Sequence, residues 1–153
     1  MSKQKDKKTV VAVSGGFDPI HIGHIDMFYD AKSLGDELVV ILNNDNWLQK
    51  KKGHVFMPEQ ERKEIIEALK PVDRVILTKH KSGDSDASVC RTLEELRPDI
   101  FANGGDRHPD SDPIPEVELC NNLGIEIVYN VGKRGKIQSS SWLVGKYLKK
   151  DDK

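Results

Sequence analysis

The sequence predicts an α/β fold, a five-stranded parallel sheet with helices on both faces, and two observations predict it. Short β-branched or aliphatic runs alternate along the chain with stretches whose apolar residues return at helical spacing. No linker, internal repeat or low-complexity segment interrupts that alternation, the pattern of a parallel sheet with crossover helices. At 153 residues and near-average apolar content, the chain can bury one substantial core, so residues 1–153 are expected to form a single domain. Its lysine-rich ends, 1–8 and 150–153, are expected to fray.

The first strand is expected at 9–13, T-V-V-A-V, and the first helix over 22–34, with Met27, Phe28, Ala31 and Leu34 at helical spacing. The run E-L-V-V-I-L at 37–42 is the second strand, and the segment 43–53 after it reads as a polar loop. A helix follows over about 58–69, where Pro58 and first-turn acidic residues suit a helix start. A short strand at 74–77, a polar loop and a helix near 87–96 come next, with Val89, Leu93 and Leu96 on one face. The fourth strand is expected at 99–102, a helix at 115–122, the fifth strand at 125–129, and a last helix from about 140 to 149.

Composition narrows the classes of partner. A net charge of −1 gives no reason to expect a nucleic-acid or membrane surface, although basic patches remain available for phosphates. No apolar run approaches the roughly 18 residues of a membrane span, and the polar N-terminus has no signal-like apolar core, so a cytoplasmic protein is expected. Cys90 and Cys120 lack C-x-x-C spacing and read as reduced, partly buried thiols.

The most specific segment is G-G-F-D-P-I-H-I-G-H, from Gly15 to His24, between the first strand and first helix. In a parallel sheet such a loop lies at the carboxyl end of a strand, where ligands bind, and the helix after it offers unpaired N–H groups to an anion. Gly15 and Gly16 would let a polyphosphate approach the backbone and would permit positive φ. His21 and His24 fall on the same side of the helix start, where they would stabilise charge growing on a phosphoryl oxygen rather than abstract a proton. Two glycines alone make only a turn, and a lone histidine pair is more often a surface feature or part of a metal site. A metal would find only Asp18 and Asp26 nearby. The loop matches neither the P-loop nor the dinucleotide fingerprint.

The segment resembles the G-x-F-D-x-x-H-x-G-H opening of the cytidylyltransferase-like nucleotidyltransferase superfamily, and the likeness runs from about Thr9 to about Leu148. Within it the chain most resembles bacterial heptose-1-phosphate adenylyltransferases and glycerol-3-phosphate cytidylyltransferases. The resemblance implies a Rossmann-like sheet, His21 and His24 as catalytic residues, and Gly15, Gly16, Phe17 and Asp18 against the nucleotide. In the lysine run it implies a phosphate-contacting base at Lys52, with Lys51 the near alternative; by itself the run is a solvated loop. Arg62 corresponds to a phosphate-reaching arginine, against the plainer reading of an exposed helix arginine paired with glutamates.

Asn103-Gly104-Gly105-Asp106 is by itself a turn; the resemblance sets Gly104, Gly105 and Asp106 beside ribose or base. Arg134 and Ser139, Ser140 and Ser141 match a triphosphate-binding motif in spacing, though Gln138 stands where an aliphatic residue is usual and a one-residue slip is open. Those serines also read as a helix cap whose free N–H groups would face phosphate.

The implied reaction is transfer of CMP or AMP from CTP or ATP to a phosphorylated sugar, polyol or amino alcohol, with release of pyrophosphate. Lys52 and Arg134 would neutralise the leaving group. Mg2+ would accompany the nucleoside triphosphate, held largely by phosphate oxygens and water, with Asp18 a possible outer contact. A homodimer is common in such enzymes. The alternatives are a nucleotide-sensing module without turnover and an assembly subunit of the same fold. The loop 107–113 departs from the heptose-enzyme pattern and leaves the acceptor open.

Overall fold

The computed structural model describes residues 7–104, 115–132 and 138–151. Gly105, Asp106, the loop 107–113 and Arg134 lie outside them, as do the tail residues 1–6 and 152–153. The elements are β1 (Val10–Gly15), α1 (Ile22–Lys32), β2 (Glu37–Leu42), α2 (Asp45–Lys52), α3 (Glu59–Glu67), β3 (Arg74–Leu77), α4 (Cys90–Leu96), β4 (Ile100–Gly104), α5 (Pro115–Leu123), β5 (Glu126–Val131) and α6 (Ser140–Asp151). The sheet order is β3-β2-β1-β4-β5 and every pairing is parallel. The fold is therefore the α/β, Rossmann-like sheet that the alternation predicts.

Register fixes which side chains share a face. Val13 lies beside Val40, and Ala12 lies between Val39 and Phe101. Successive residues point to opposite faces. Val11, Val13, Leu38, Val40 and Leu42 thus pack with Phe28 and Ala31 of α1 and Ile66 of α3. Ala12, Ile41 and Phe101 face the other way, onto Leu93 of α4 and Cys120 of α5. Each fully buried large side chain contributes about 1.5–3 kcal/mol relative to exposure, so both layers are needed to hold the sheet. The strand order reverses direction between β1 and β4. At the carboxyl edge there, Gly15 and Gly16 of the β1 end and Asn103 and Gly104 of the β4 end line a crevice, the usual ligand position of an open α/β sheet.

Several elements differ from the sequence reading, β4 and β5 among them, which end two residues later than expected, at Gly104 and Val131. The polar segment after β2 is not a loop: Asn44 caps α2 by accepting from Trp47 N–H at 3.0 Å, Leu48 is buried, and Gly53 ends the helix at φ 77°. Strand β1 runs two residues further, because Ser14 and Gly15 still pair with Ile41 and Leu42. Helix α4 begins only at Cys90, since the Asp86 carboxylate takes both the N–H and the hydroxyl of Ser88, a local turn that competes with helix.

Both cysteines are free. Burial pushes the Cys120 thiol up to about 11 and raises that of Cys90, which makes both poor nucleophiles. Among the described residues no helix is long and apolar enough to cross a membrane.

Candidate functional site

The loop after β1 is built around Phe17, not around flexible glycines. Phe17 takes a positive φ of 50°, whereas neither Gly15 nor Gly16 does. That corrects the expectation that the glycines supply the unusual backbone. Their role is space: a Cβ on Gly15 would come within 2.9 Å of the Phe17 ring, and one on Gly16 within 3.0 Å of Leu48 and 3.1 Å of Trp47. A left-handed non-glycine residue is strained, and burial of the Phe17 ring holds it there. That ring stands edge-on to His24 at 4.7 Å and to Phe28 at 5.2 Å, so the strained residue supports the imidazole.

Asp18 and Arg62 brace the same loop from behind. The Asp18 carboxylate is buried and accepts from the N–H groups of Phe56 and Met57, both at 2.6 Å. Arg62 is wholly buried, which overturns its reading as an exposed helix arginine. Its guanidinium donates to the carbonyls of Met57, Gly16 and Asn43 at 2.7–2.8 Å and to the Asp45 carboxylate at 2.7 Å. The guanidinium thus ties Gly16 of the histidine loop to Asn43, Asp45 and Met57.

His21 and His24 cap α1 reciprocally. Gly23 N–H donates to His21 Nδ1 at 3.0 Å, and His21 N–H donates to His24 Nδ1 at 3.2 Å. The glycine between them is required, because a Cβ on Gly23 would lie 2.9 Å from the His21 ring. The rings stack with centroids 3.7 Å apart and planes at 26°. An Nδ1 that accepts a backbone proton carries none, so each neutral ring holds its hydrogen on Nε2. The pair therefore offers two Nε2–H donors and no free lone pair. It can stabilise an oxyanion; it cannot serve as a general base.

Electrostatics keep the pair neutral. Burial, then His21, then the nearby Lys52 ammonium lower His24 from 6.5 to about 3. His21 is lowered too, by burial and by Lys52. Because folded His24 gains its proton only near 3, the unfolded chain holds the extra proton between about 3 and 6.5. Stability from this site is complete above pH 6.5 and is lost as pH falls through that window, by up to about 1.4 kcal/mol per pH unit. Urea denaturation at pH 7 and pH 5 is expected to show a pH-dependent loss that His24→Asn reduces; an equal loss in both proteins would contradict it.

Two cavities meet at this point. One, of about 210 Å³, lies in the crevice between β1 and β4 and is lined by Gly15, Gly16, Phe17, His24, Lys52 and Gly104, among others. The second, of about 480 Å³, lies between the end of α2 and α6, with Asp18, Lys51, Lys52, Ser140 and Ser141 in its wall. Lys52 and Ser140 line both. The structure thus brings together most of the described residues expected in the site.

The serines divide their work. Ser139 Oγ caps α6 by accepting from the N–H groups of Ser141 at 3.1 Å and Trp142 at 3.4 Å. Those two N–H groups, expected free for phosphate, are therefore taken. Ser140 Oγ donates to the Pro19 carbonyl at 2.7 Å and ties α6 to the histidine loop.

A cytidylyltransferase-like family model matches residues 12–141, which spans the loop, the crevice and the start of α6. The chain belongs to that family. It is 41% identical over 115 residues to an FAD synthase of Archaeoglobus fulgidus, covering 75% of this chain and 79% of that protein. It is 35% identical over 138 residues to an FAD synthase of Methanoculleus marisnigri, covering 90% and 88%. Among solved structures it resembles the lipopolysaccharide core biosynthesis protein of Thermoplasma volcanium, with a TM-score of 0.64, 32% identity, and 82% and 98% of the two chains covered. This cytidylyltransferase-like chain is a nucleotidyltransferase.

The described residues of this family member contain no cluster of three or more His, Cys, Asp and Glu able to hold a metal ion. Both Asp18 oxygens already accept backbone protons, which argues against a direct metal bond there. A divalent ion bound by phosphate oxygens and water needs no such cluster. Sequence reasoning missed Trp47 and Asn103, which also line the crevice. The helical period of Trp47 was hidden by the polar residues around it, and Asn103 sits in what reads as a turn.

Proposed function

We propose that this nucleotidyltransferase moves AMP from ATP to the phosphate of FMN, releasing pyrophosphate and forming FAD. The observation that carries the reading is the stacked imidazole pair, each Nδ1 taken by a backbone N–H, with His24 in the wall of the crevice at the strand-order switch. The FAD synthase relatives favour FMN as acceptor and ATP as donor. FMN carries its phosphate on a ribityl chain, so it also fits the expected class of phosphorylated polyols.

A phosphate oxygen of the acceptor attacks the α-phosphorus while the bond to the β-phosphate oxygen breaks. His21 and His24 donate to the non-bridging α-oxygens as charge accumulates there. Gly15 and Gly16 let Phe17, Leu48 and Trp47 close up against the loop, and the positive end of α1 favours the α-phosphate. Lys52, with Arg134, neutralises the departing pyrophosphate, and the Ser141 hydroxyl holds its outer oxygens. Lys51 assists from the larger cavity, and Gly104, Gly105 and Asp106 hold the nucleoside. Phe17, Asp18 and Arg62 keep the loop in shape. Mg2+ bound to the triphosphate would add charge neutralisation.

Lys52 lines both cavities and Lys51 only the larger, so Lys52→Ala is expected to lower kcat more than tenfold beyond Lys51→Ala. Equal effects in steady-state kinetics would contradict that assignment.

The function is tested by pyrophosphate release from ATP and from CTP with FMN, glycerol 3-phosphate and a sugar 1-phosphate as acceptors. Fastest release with ATP and FMN, with FAD in the product, is expected. A sugar-phosphate acceptor is the second reading, favoured by the named role of the Thermoplasma volcanium protein. Release with that acceptor and none with FMN would establish it instead.

A further inference from the structure

Among the described residues, one polar group in the crevice has no partner. Asn103 is only 6% exposed, and its Nδ2 makes no hydrogen bond. A buried donor left unpaired is destabilising, so such a group is a place to look for a ligand acceptor. Asn103 lines the crevice cavity itself. The ladder between β4 and β5 slips at this residue, since Ala102 pairs with Val128 but Gly104 with Val131. Irregular pairing of this kind often re-aims side chains beside functional sites. A second unpaired amide atom among the described residues, Asn43 Oδ1, belongs to a residue outside this lining and has no part here.

Trp47 lines the same cavity, and its ring is fixed. Its Nε1–H donates to the Ala87 carbonyl at 2.8 Å, and its edge lies against Gly16. The lining therefore divides by chemistry. His24 and Lys52 suit phosphate oxygens, whereas Trp47, Ala102 and Asn103 offer an indole, a methyl group and an amide without charge.

We infer that Trp47 and Asn103 form a recognition wall for an uncharged planar heterocycle, which packs on the indole and takes the Asn103 Nδ2–H at an acceptor on its rim. The inference rests on nucleotidyl transfer at this crevice. Each substrate of the proposed reaction carries such a ring, the adenine of ATP and the isoalloxazine of FMN, and the test separates them.

Steady-state kinetics with ATP and FMN are measured for the wild type, Asn103→Ala, Trp47→Leu and Trp47→Phe. Asn103→Ala and Trp47→Leu are expected to raise the KM of the same substrate about tenfold, with the other KM within about twofold, and Trp47→Phe to recover most of the loss. A raised KM for FMN assigns the wall to the acceptor ring; a raised KM for ATP assigns it to the base. Wild-type turnover with both KM values unchanged in Asn103→Ala and Trp47→Leu overturns the inference and leaves the proposed function standing.

If Asn103→Ala does not fold, Asn103→Ser replaces it. If the wild type makes no FAD, the proposed function fails, and calorimetry of the wild type with adenosine and with riboflavin decides the inference separately. Binding of either, weakened in Asn103→Ser, supports the wall; binding of neither overturns it.

Discussion

His24→Asn is expected to lower kcat for nucleotidyl transfer by about 10²–10³, with a much smaller change in the KM of the nucleotide. Asparagine keeps an oxygen that can accept the His21 N–H, so the cap on α1 has a replacement, but the Nε2–H of the imidazole is lost. The donor matters most when charge grows on the phosphoryl group, so its loss falls on turnover rather than on binding. Because Nδ1 is bonded and Nε2 carries the proton, the wild-type rate is also expected to show no inflection from a histidine base near pH 6.5. A variant as fast as the wild type, with an unchanged circular dichroism spectrum, would contradict the role given to this ring.

Arg62→Met is expected to destabilise the protein by about 3–5 kcal/mol, measured as a lower urea midpoint at unchanged slope. The cost comes from what is left behind. The carbonyls of Gly16, Asn43 and Met57 lose the guanidinium, and Asp45 loses its ion-pair partner. Lysine cannot replace the planar fork, so Arg62→Lys is expected to recover only part of the loss. Were Arg62 a phosphate contact instead, Arg62→Met would raise the KM for the nucleotide while leaving stability nearly intact. The two roles are therefore separable in one variant.

Much of the frame was legible because it rests on local pattern. The continuous apolar run of β2 and the Pro58 start of α3 appear in the sequence as they appear in the structure. The histidine loop was legible for a different reason, since spacing alone places His21 and His24 together at one helix start. Arg62 was not legible: a polar helix sequence around it gives no sign that its side chain turns inward to the carbonyls of Gly16 and Asn43 in distant loops. Helix α2 was hidden by its lysine run, whose charge masks one buried leucine and a capping asparagine. Phe17 shows the same limit, because its strained backbone is set by the ring packing of His24 and Phe28 rather than by neighbours in sequence. Contacts made across long sequence separations leave little trace in local composition.

The proposed chemistry rests on two neutral imidazoles that present Nε2–H to a phosphoryl group. Long-range ¹H–¹⁵N NMR of the histidine rings at pH 7, before and after addition of ATP with Mg2+, reads this directly. His21 and His24 are predicted to be neutral, protonated at Nε2, with their Nε2 resonances moved by the nucleotide and their Nδ1 pattern retained. Rings found as imidazolium or protonated at Nδ1, or Nε2 signals indifferent to saturating nucleotide, would contradict it.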